Sequence, residues 1–514
     1  MEYLIGIDIG TTNIKGVLFD SEGSVIAKAE STYKTYYQEG GLVEQDANDW
    51  WKEIQTVCKG IMSQVGETVS SHIKGISISS QTPTLLLVNQ QGIPLRNAII
   101  WMDSRAEQEL EEILNDVGRE KYTKITGMLP AVSFLPAKLL WMKKNESDVL
   151  KKTHYLLQAN GYANYKLTGE YSLDLDQASL TQCIDIGTGT WSKEIEKAIG
   201  IQFKDYFPDP VSNTKIIGYV TEEASKMTQL PVNLPVVAGT SDAIAAMYAS
   251  GLSKMGEATE VAGTSSLVFA GTHEPPKTYH TVSAQKCNLD TIPFVFNSPI
   301  TATGASIKWF IDNIGFSEEE MSDEAKKNVF NLMNEKALQS KPGANGIIFS
   351  PYMMGERAPL WNNHAKGMFI GLSLNSSKDD MIRSIFEGTS YALKSVLEEF
   401  KRNGTKIEAL RVVGGGAKSQ TWLEIKASVL NIPIYVLEEK TGDVPFGDAI
   451  IAGLAVGIYK DLTETIRNII KVKKIIYPNK EWVNIYEERY VFFKKFYENL
   501  DLSLKEYEQI CKIQ

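Results

Sequence analysis

The feature that most constrains this fold is a strand–turn–strand unit that occurs twice. The chain opens MEYLIGIDIGTTNIKGVLFD, in which Ile5, Ile7 and Ile9 alternate with Gly6 and Asp8. That is the period-2 pattern of a strand with one buried face. Gly10-Thr11-Thr12-Asn13 is a run of turn formers, and residues 14–19 read as the returning strand. About half a chain later GEATEVAGTSSLVFAG repeats the unit, with Gly263-Thr264-Ser265-Ser266 at the turn. A second echo pairs HIKGISISSQT with IEALRVVGGGAK, each a strand that runs into a polar or Gly-rich loop. Together these imply a duplicated α/β domain, split near residue 250, with residues 1–250 and 251–514 as the halves. The length agrees, since 514 residues exceed what one ordinary core covers.

Between the repeats, strands and helices alternate. Residues 25–32 form a third extended run, ANDWWKEIQTVCKGIMSQV has helical spacing, and IKGISISS is a strand leading into QTPT. LLLVNQQGIPL reads as a strand pair around a polar turn, and NAIIWMDSRAEQELEEIL passes from strand to charged helix. Residues 123–207 look mostly helical, and the tail EWVNIYEERYVFFKKFYENL reads as an amphipathic helix on the second domain. AIIAGLAVGIY is too short to cross a bilayer and reads as a buried helix. There is no basic stretch followed by an apolar run at the start, so no signal peptide is expected. Four scattered cysteines and five scattered histidines make a zinc site improbable and point to a reducing, cytoplasmic setting. A net charge of −10 without any basic run argues against nucleic acid, though backbone amides and Mg²⁺ still suit a nucleotide.

A tight Gly-Thr-Thr turn presents successive amides and hydroxyls to an anion, and two such tips facing across a cleft would grip a polyphosphate from both sides. Either tip alone is also an ordinary hairpin turn. Asp8, at the base of the first tip, suits Mg²⁺ held through water, or it hydrogen-bonds its own turn. GGGAKS (414–419) lacks the spacing of a Walker loop, but its glycines let a flat ligand approach a strand-to-helix turn. Asp242 in GTSDAIAA stands in the first turn of a helix, as a general base or as a helix-start residue. Asp103 and Arg105 in WMDSRA suit a hydroxyl-rich ligand, or form a surface ion pair or cap.

On these segments the chain resembles the FGGY-type carbohydrate kinases of the actin and hexokinase superfamily. The likeness runs through GIDIGTTNIKGVLFD, PLRNAIIWMDSRA, NYKLTGEYSLD, VVAGTSDAIAAMYASG, GEATEVAGTSSLVFAG, PYMMGERAPLWNNHAKGMFIGLSLNSSKDDMIRSIFEGTSYAL and VVGGGAKSQTWLEIKASVLNIPI, in order. The resemblance implies an α/β fold of two ribonuclease-H-like domains around a central cleft. The first domain would bind sugar and carry the base; the second would bind nucleotide. It implies Asp242 as general base and Asp8 as the Mg²⁺-associated aspartate. Thr11, Thr12, Gly263 and Thr264 would contact phosphates, Gly415, Gly416 and Ala417 adenosine, and Gln81, Thr82, Asp103 and Asp242 the sugar. ATP and a small sugar are the implied partners, with no nucleic acid or membrane, and a homodimer remains open. Gln81-Thr82-Pro83-Thr84 departs from the Gln-Met-His-Gly of xylulose kinases and the Gln-Arg-Glu of glycerol kinases. Loss of the charged pair argues against glycerol. The implied reaction is phosphorylation of a pentulose such as xylulose, with gluconate as the alternative. A nucleotide-operated binding protein without sugar turnover is the alternative of another class.

Overall fold

The computed structural model describes residues 1–278, 282–289, 292–316, 329–438 and 444–511. The repeat read in the sequence is a repeat of topology. In the first half the sheet order is Ile216–Tyr219, Pro235–Val237, Ile73–Ser80, Tyr3–Ile9, Asn13–Asp20 and Val25–Thr32. In the second it is Val472–Ile476, Ile434–Leu437, Ile407–Val413, Gly256–Ala262, Ser266–Thr272, Ile292–Ile300 and Ser283–Leu289. Each hairpin strand that leads into a tip runs antiparallel to its return strand and parallel to the strand on its other side, Ile73–Ser80 in the first sheet and Ile407–Val413 in the second. Pro235–Val237 and Ile434–Leu437 are in turn parallel to those strands, and each carries an antiparallel edge strand. The two expected echoes are therefore the first hairpin and its parallel neighbour in one design, used twice.

Register explains the odd carboxylate of the opening strand. Ile5, Ile7 and Ile9 are fully buried in one core, with Trp50, Ile54 and Val57 of the helix Ala47–Met62. Leu4, Gly6 and Asp8 lie on the opposite face, because side chains alternate along a strand. That face is covered by the helix Val444–Ala455, which comes from the second half of the chain. A Cβ on Gly6 would sit 1.9 Å from the Pro445 carbonyl oxygen and 3.0 Å from Asp448 Cβ. Leu4 accordingly joins a core that mixes both halves, with Ile244, Met247, Phe269, Val413 and Ile450.

The strand at 25–32, the strand Ile73–Ser80 and the helix at 47–62 lie where the sequence places them. One element differs. The polar turn of LLLVNQQGIPL forms, with Asn89 N–H donating to Ile93 O at 3.0 Å, but Leu86–Val88 pairs along its length with Tyr155–Leu157. Pro94 lacks an amide for the ladder, and its side contributes a single bridge to Val88. AIIAGLAVGIY is helical only to Ala455, turning at Gly457. The terminal helix Lys480–Cys511 buries Tyr486, Tyr490 and Phe493 in the second core. No helix among the described residues is long and apolar enough to cross a membrane.

Candidate active site

The two tips are unequal in length but closed alike. Gly10 N–H donates to Asn13 O at 3.0 Å, and Gly263 N–H to Ser265 O at 2.9 Å. The glycine amides are thus spent within the turns, which leaves Thr11, Thr12 and Thr264 as the candidates for an anion. Thr12, Gly263 and Thr264 are exposed, and Thr11 is half-buried. The Thr11 hydroxyl accepts from the Trp101 indole at 3.1 Å, so the WMDSRA segment touches the first hairpin tip. Trp101 was not singled out from the sequence; its position two residues before Asp103 is the only signal it gives.

A cavity of about 480 Å³ opens beside the second tip, lined by Gly263, Thr264, Gly304, Gly415, Gly416 and Trp422 among others. The three glycines of 414–416 are there for different reasons. Gly414 has φ of +85°, and a Cβ there would lie 2.6 Å from Ala262 O; at Gly416 it would lie 2.7 Å from Ala262 Cβ. Both are demanded by packing. At Gly415 the nearest atom is 3.9 Å away, so the space over that residue belongs to the cavity. Ala417, expected at adenosine, instead packs toward the second core and does not line the cavity.

Asp242 begins the helix Asp242–Ala249, whose first turn is capped by Ser241. Burial pushes its carboxyl up to about 6, against the pull of the Ala243 amide on Oδ1 at 2.6 Å. The approach to it is held from behind. Asn160 and Asn164 donate to Ala238 O, Gln177 donates to Thr240 O at 2.9 Å, and the Thr240 hydroxyl donates to Asp176 at 2.9 Å. Sequence reading missed Asp176 and Gln177, whose helix is only six residues long. Thr82, in the departing loop, donates to Gln177 at 2.9 Å and so connects to Thr240, two residues before Asp242.

Asp8 lies at the base of the first tip, its Oδ2 3.7 Å from where a Gly10 Cβ would be. Its neighbour in register is Ser79, whose hydroxyl donates at 2.7 Å to Asp448 on the Val444–Ala455 helix. Burial, and the charges of Asp8 and Asp242, push the Asp448 carboxyl well above its ordinary range. Three carboxylates from three segments therefore meet at the domain junction; Asp448 was not expected. No group of three His, Cys, Asp or Glu among the described residues is arranged to hold a metal directly, and His280 and the Cys511 side chain lie outside those residues. Asp8 fits a divalent ion held through water and chiefly by phosphate oxygens, not one caged by protein.

Asp103 is neither exposed nor open. It is 1 % exposed, takes Arg105 through both oxygens at 2.7–3.0 Å, and accepts the Val43 amide at 2.6 Å. Arg105 also donates to Glu44 at 2.7 Å. The pair is thus a buried clamp on the sugar-side loop rather than a surface bridge. Gln81 is fully buried; its amide donates to Gln45 at 2.6 Å, and its Oε1 has no partner among the described residues.

Comparison with known proteins gives this site a context. The models of the FGGY family of carbohydrate kinases match residues 3–249 for the N-terminal domain and 258–456 for the C-terminal domain. The chain is 30% identical over 500 residues to a xylulose kinase of Staphylococcus epidermidis, covering 96% of each. A xylulose kinase structure from Rhodospirillum rubrum superposes with a TM-score of 0.88 at 25% identity, over 98% of this chain and 100% of that one. A gluconate kinase from Lactobacillus acidophilus superposes equally well, with a TM-score of 0.88 at 24% identity over 98% and 99%.

Proposed function

The chain belongs to the FGGY family of carbohydrate kinases, and from that premise we propose that it transfers the γ-phosphate of ATP to a primary hydroxyl of a neutral pentulose, D-xylulose first. The observations that support this reading are the half-buried Asp242, whose charge reaches the same Asp448 as that of Asp8 at the first tip, and the cavity beside the second tip. Residues 1–250 serve the sugar and 251–514 the nucleotide. Asp242 orients the hydroxyl and takes its proton as the bond to phosphorus forms. Thr11, Thr12 and Thr264 offer fixed amides to the phosphate oxygens, and Gly415 leaves space for adenosine. Asp8 would hold Mg²⁺ through water, and the ion, when bound, would supply positive charge to the phosphates.

Charge separates the sugars. Three cations around Asp103 and Glu44 are already engaged: Arg105 by Asp103 and Glu44, Arg96 by Glu44 and Glu146, and Lys138 by the Ile100 and Ser133 carbonyls. An anionic substrate such as gluconate would have to displace one of them, which favours the neutral pentulose.

The deciding measurement is ADP release from Mg-ATP across D-xylulose, L-xylulose, D-ribulose, L-ribulose, D-gluconate, glycerol, erythritol and a control without sugar. Release far above the control with a pentulose is the expected result. Stimulation by gluconate alone would reverse the substrate assignment, and a flat panel with ATP bound would favour a nucleotide-operated binding protein.

A further inference from the structure

We propose that Gln45 is a positioning residue that couples occupancy of the sugar site to the geometry of the first phosphate tip. Gln45 is fully buried at the end of the strand Leu42–Gln45. Its orientation is fixed by a donor that cannot accept: the Trp50 indole N–H donates to Oε1 at 3.0 Å. The amide of Gln45 must then face the other way, where it donates to Thr11 O and to the Thr35 hydroxyl, each at 2.8 Å. The same Oε1 receives the Gln81 amide at 2.6 Å, which fixes Gln81 in turn and leaves Gln81 Oε1 as its remaining acceptor.

A parallel link runs through Tyr33. Its hydroxyl donates to Gly10 O and accepts from the Gln81 amide at 3.4 Å. Burial and the negative charge of Asp8 hold the phenol far from ionisation, so it stays a donor. Gln81 therefore reaches both tip carbonyls, one through each neighbour.

The consequence follows from the trans peptide. The carbonyl of one residue and the N–H of the next point in opposite directions across the bond. Holding Gly10 O and Thr11 O on the Tyr33 and Gln45 side aims the Thr11 and Thr12 amides to the other side of the turn. Those are the amides that the proposed reaction assigns to phosphate. A sugar hydroxyl that donates to Gln81 Oε1 would order Gln81, and with it both links to the tip. ATP would then meet more firmly held amides when sugar is present. The inference rests on the kinase reading above.

The test is the affinity of Mg-AMP-PNP with and without the most stimulating panel sugar, by calorimetry, in the unaltered protein, Gln45→Met, Gln45→Glu, Gln45→His and Tyr33→Phe. In the unaltered protein saturating sugar should tighten the nucleotide by about 5- to 150-fold. Gln45→Met, of similar volume but with no donor and only a weak acceptor, should bring that ratio below about twofold. Gln45→His, whose ring nitrogens accept on one side and donate on the other, should restore part of it. Sugar-independent ATP hydrolysis should rise relative to the sugar-dependent rate in Gln45→Met. A merely structural role would weaken both ligands and leave the ratio intact, and that result overturns the proposal. Should Gln45→Met not fold, Gln45→Glu decides, because a carboxylate accepts but does not donate to Thr11 O; an unchanged ratio there overturns the proposal equally, and Tyr33→Phe measures the parallel link alone. If no sugar stimulates the unaltered protein, the kinase reading falls and this inference with it.

Discussion

At the scale of single residues, burial decides which carboxylate does what. Asp8, Asp242 and Asp448 gather at one junction, yet only Asp242 stands in a first helical turn with its carboxyl at about 6. A base must be ionised to accept the hydroxyl proton, and this one is half ionised near pH 6 rather than near 4. Turnover should therefore hold at neutral pH and fall about tenfold per pH unit well below 6. A pH profile of kcat checks this; an acid limb that begins near pH 4 would assign the step elsewhere. Asp242→Asn should cut kcat by about 10²–10⁴-fold while AMP-PNP binding survives, since the nucleotide cavity lies in the other half of the chain. Near-normal turnover in that variant would remove Asp242 from the base role.

At the scale of elements, the sequence carried more of the fold than of the site. Period-2 alternation in residues 3–9 and 73–80 and the helical spacing of 47–62 are local, so they were legible. The site is assembled from contacts that no local pattern records: Ser79 meets Asp448 across 369 positions, and Gln45 meets Gln81 across 36. The Gly-rich turn shows the limit well. Its composition suggested a close approach but could not say by what, and only packing separates Gly415 from its neighbours. Gly415→Val should weaken ATP more than tenfold and sugar little, with the melting temperature nearly unchanged. Gly414→Val, forced to a φ of +85° and against the Ala262 carbonyl, should instead lower the melting temperature by several degrees. Thermal melts and ATP titrations of the two variants would show whether that division holds; equal destabilisation would return Gly415 to the structural turn.

At the scale of the whole molecule, the duplication is symmetrical in topology and asymmetrical in chemistry. Counted back from its tip, Val261 of the second hairpin occupies the place that Asp8 holds in the first, and the carboxylate near the second tip, Glu260, is instead engaged by Ser266 and Lys426. The deeper asymmetry is the Val444–Ala455 helix, which follows the second sheet's parallel strands but lies on the first sheet, against the strands that hold Asp8 and Ser79. It crosses the Asp242–Ala249 helix so closely that a Cβ on Gly447 would fall 1.9 Å from Ala245 O. The base, the carboxylate at the first tip and the junction between halves are thus positioned by one crossing. Gly447→Val must push the helices apart, which costs about 1–3 kcal/mol by overpacking and lowers the melting temperature by several degrees. It should also lower kcat at saturating substrates by more than tenfold, because Asp242 moves with its helix while the sugar-side loop does not. Calorimetry together with kcat on the same preparation tests this. A variant that loses stability but keeps its turnover would show that the crossing holds the halves together without setting the base.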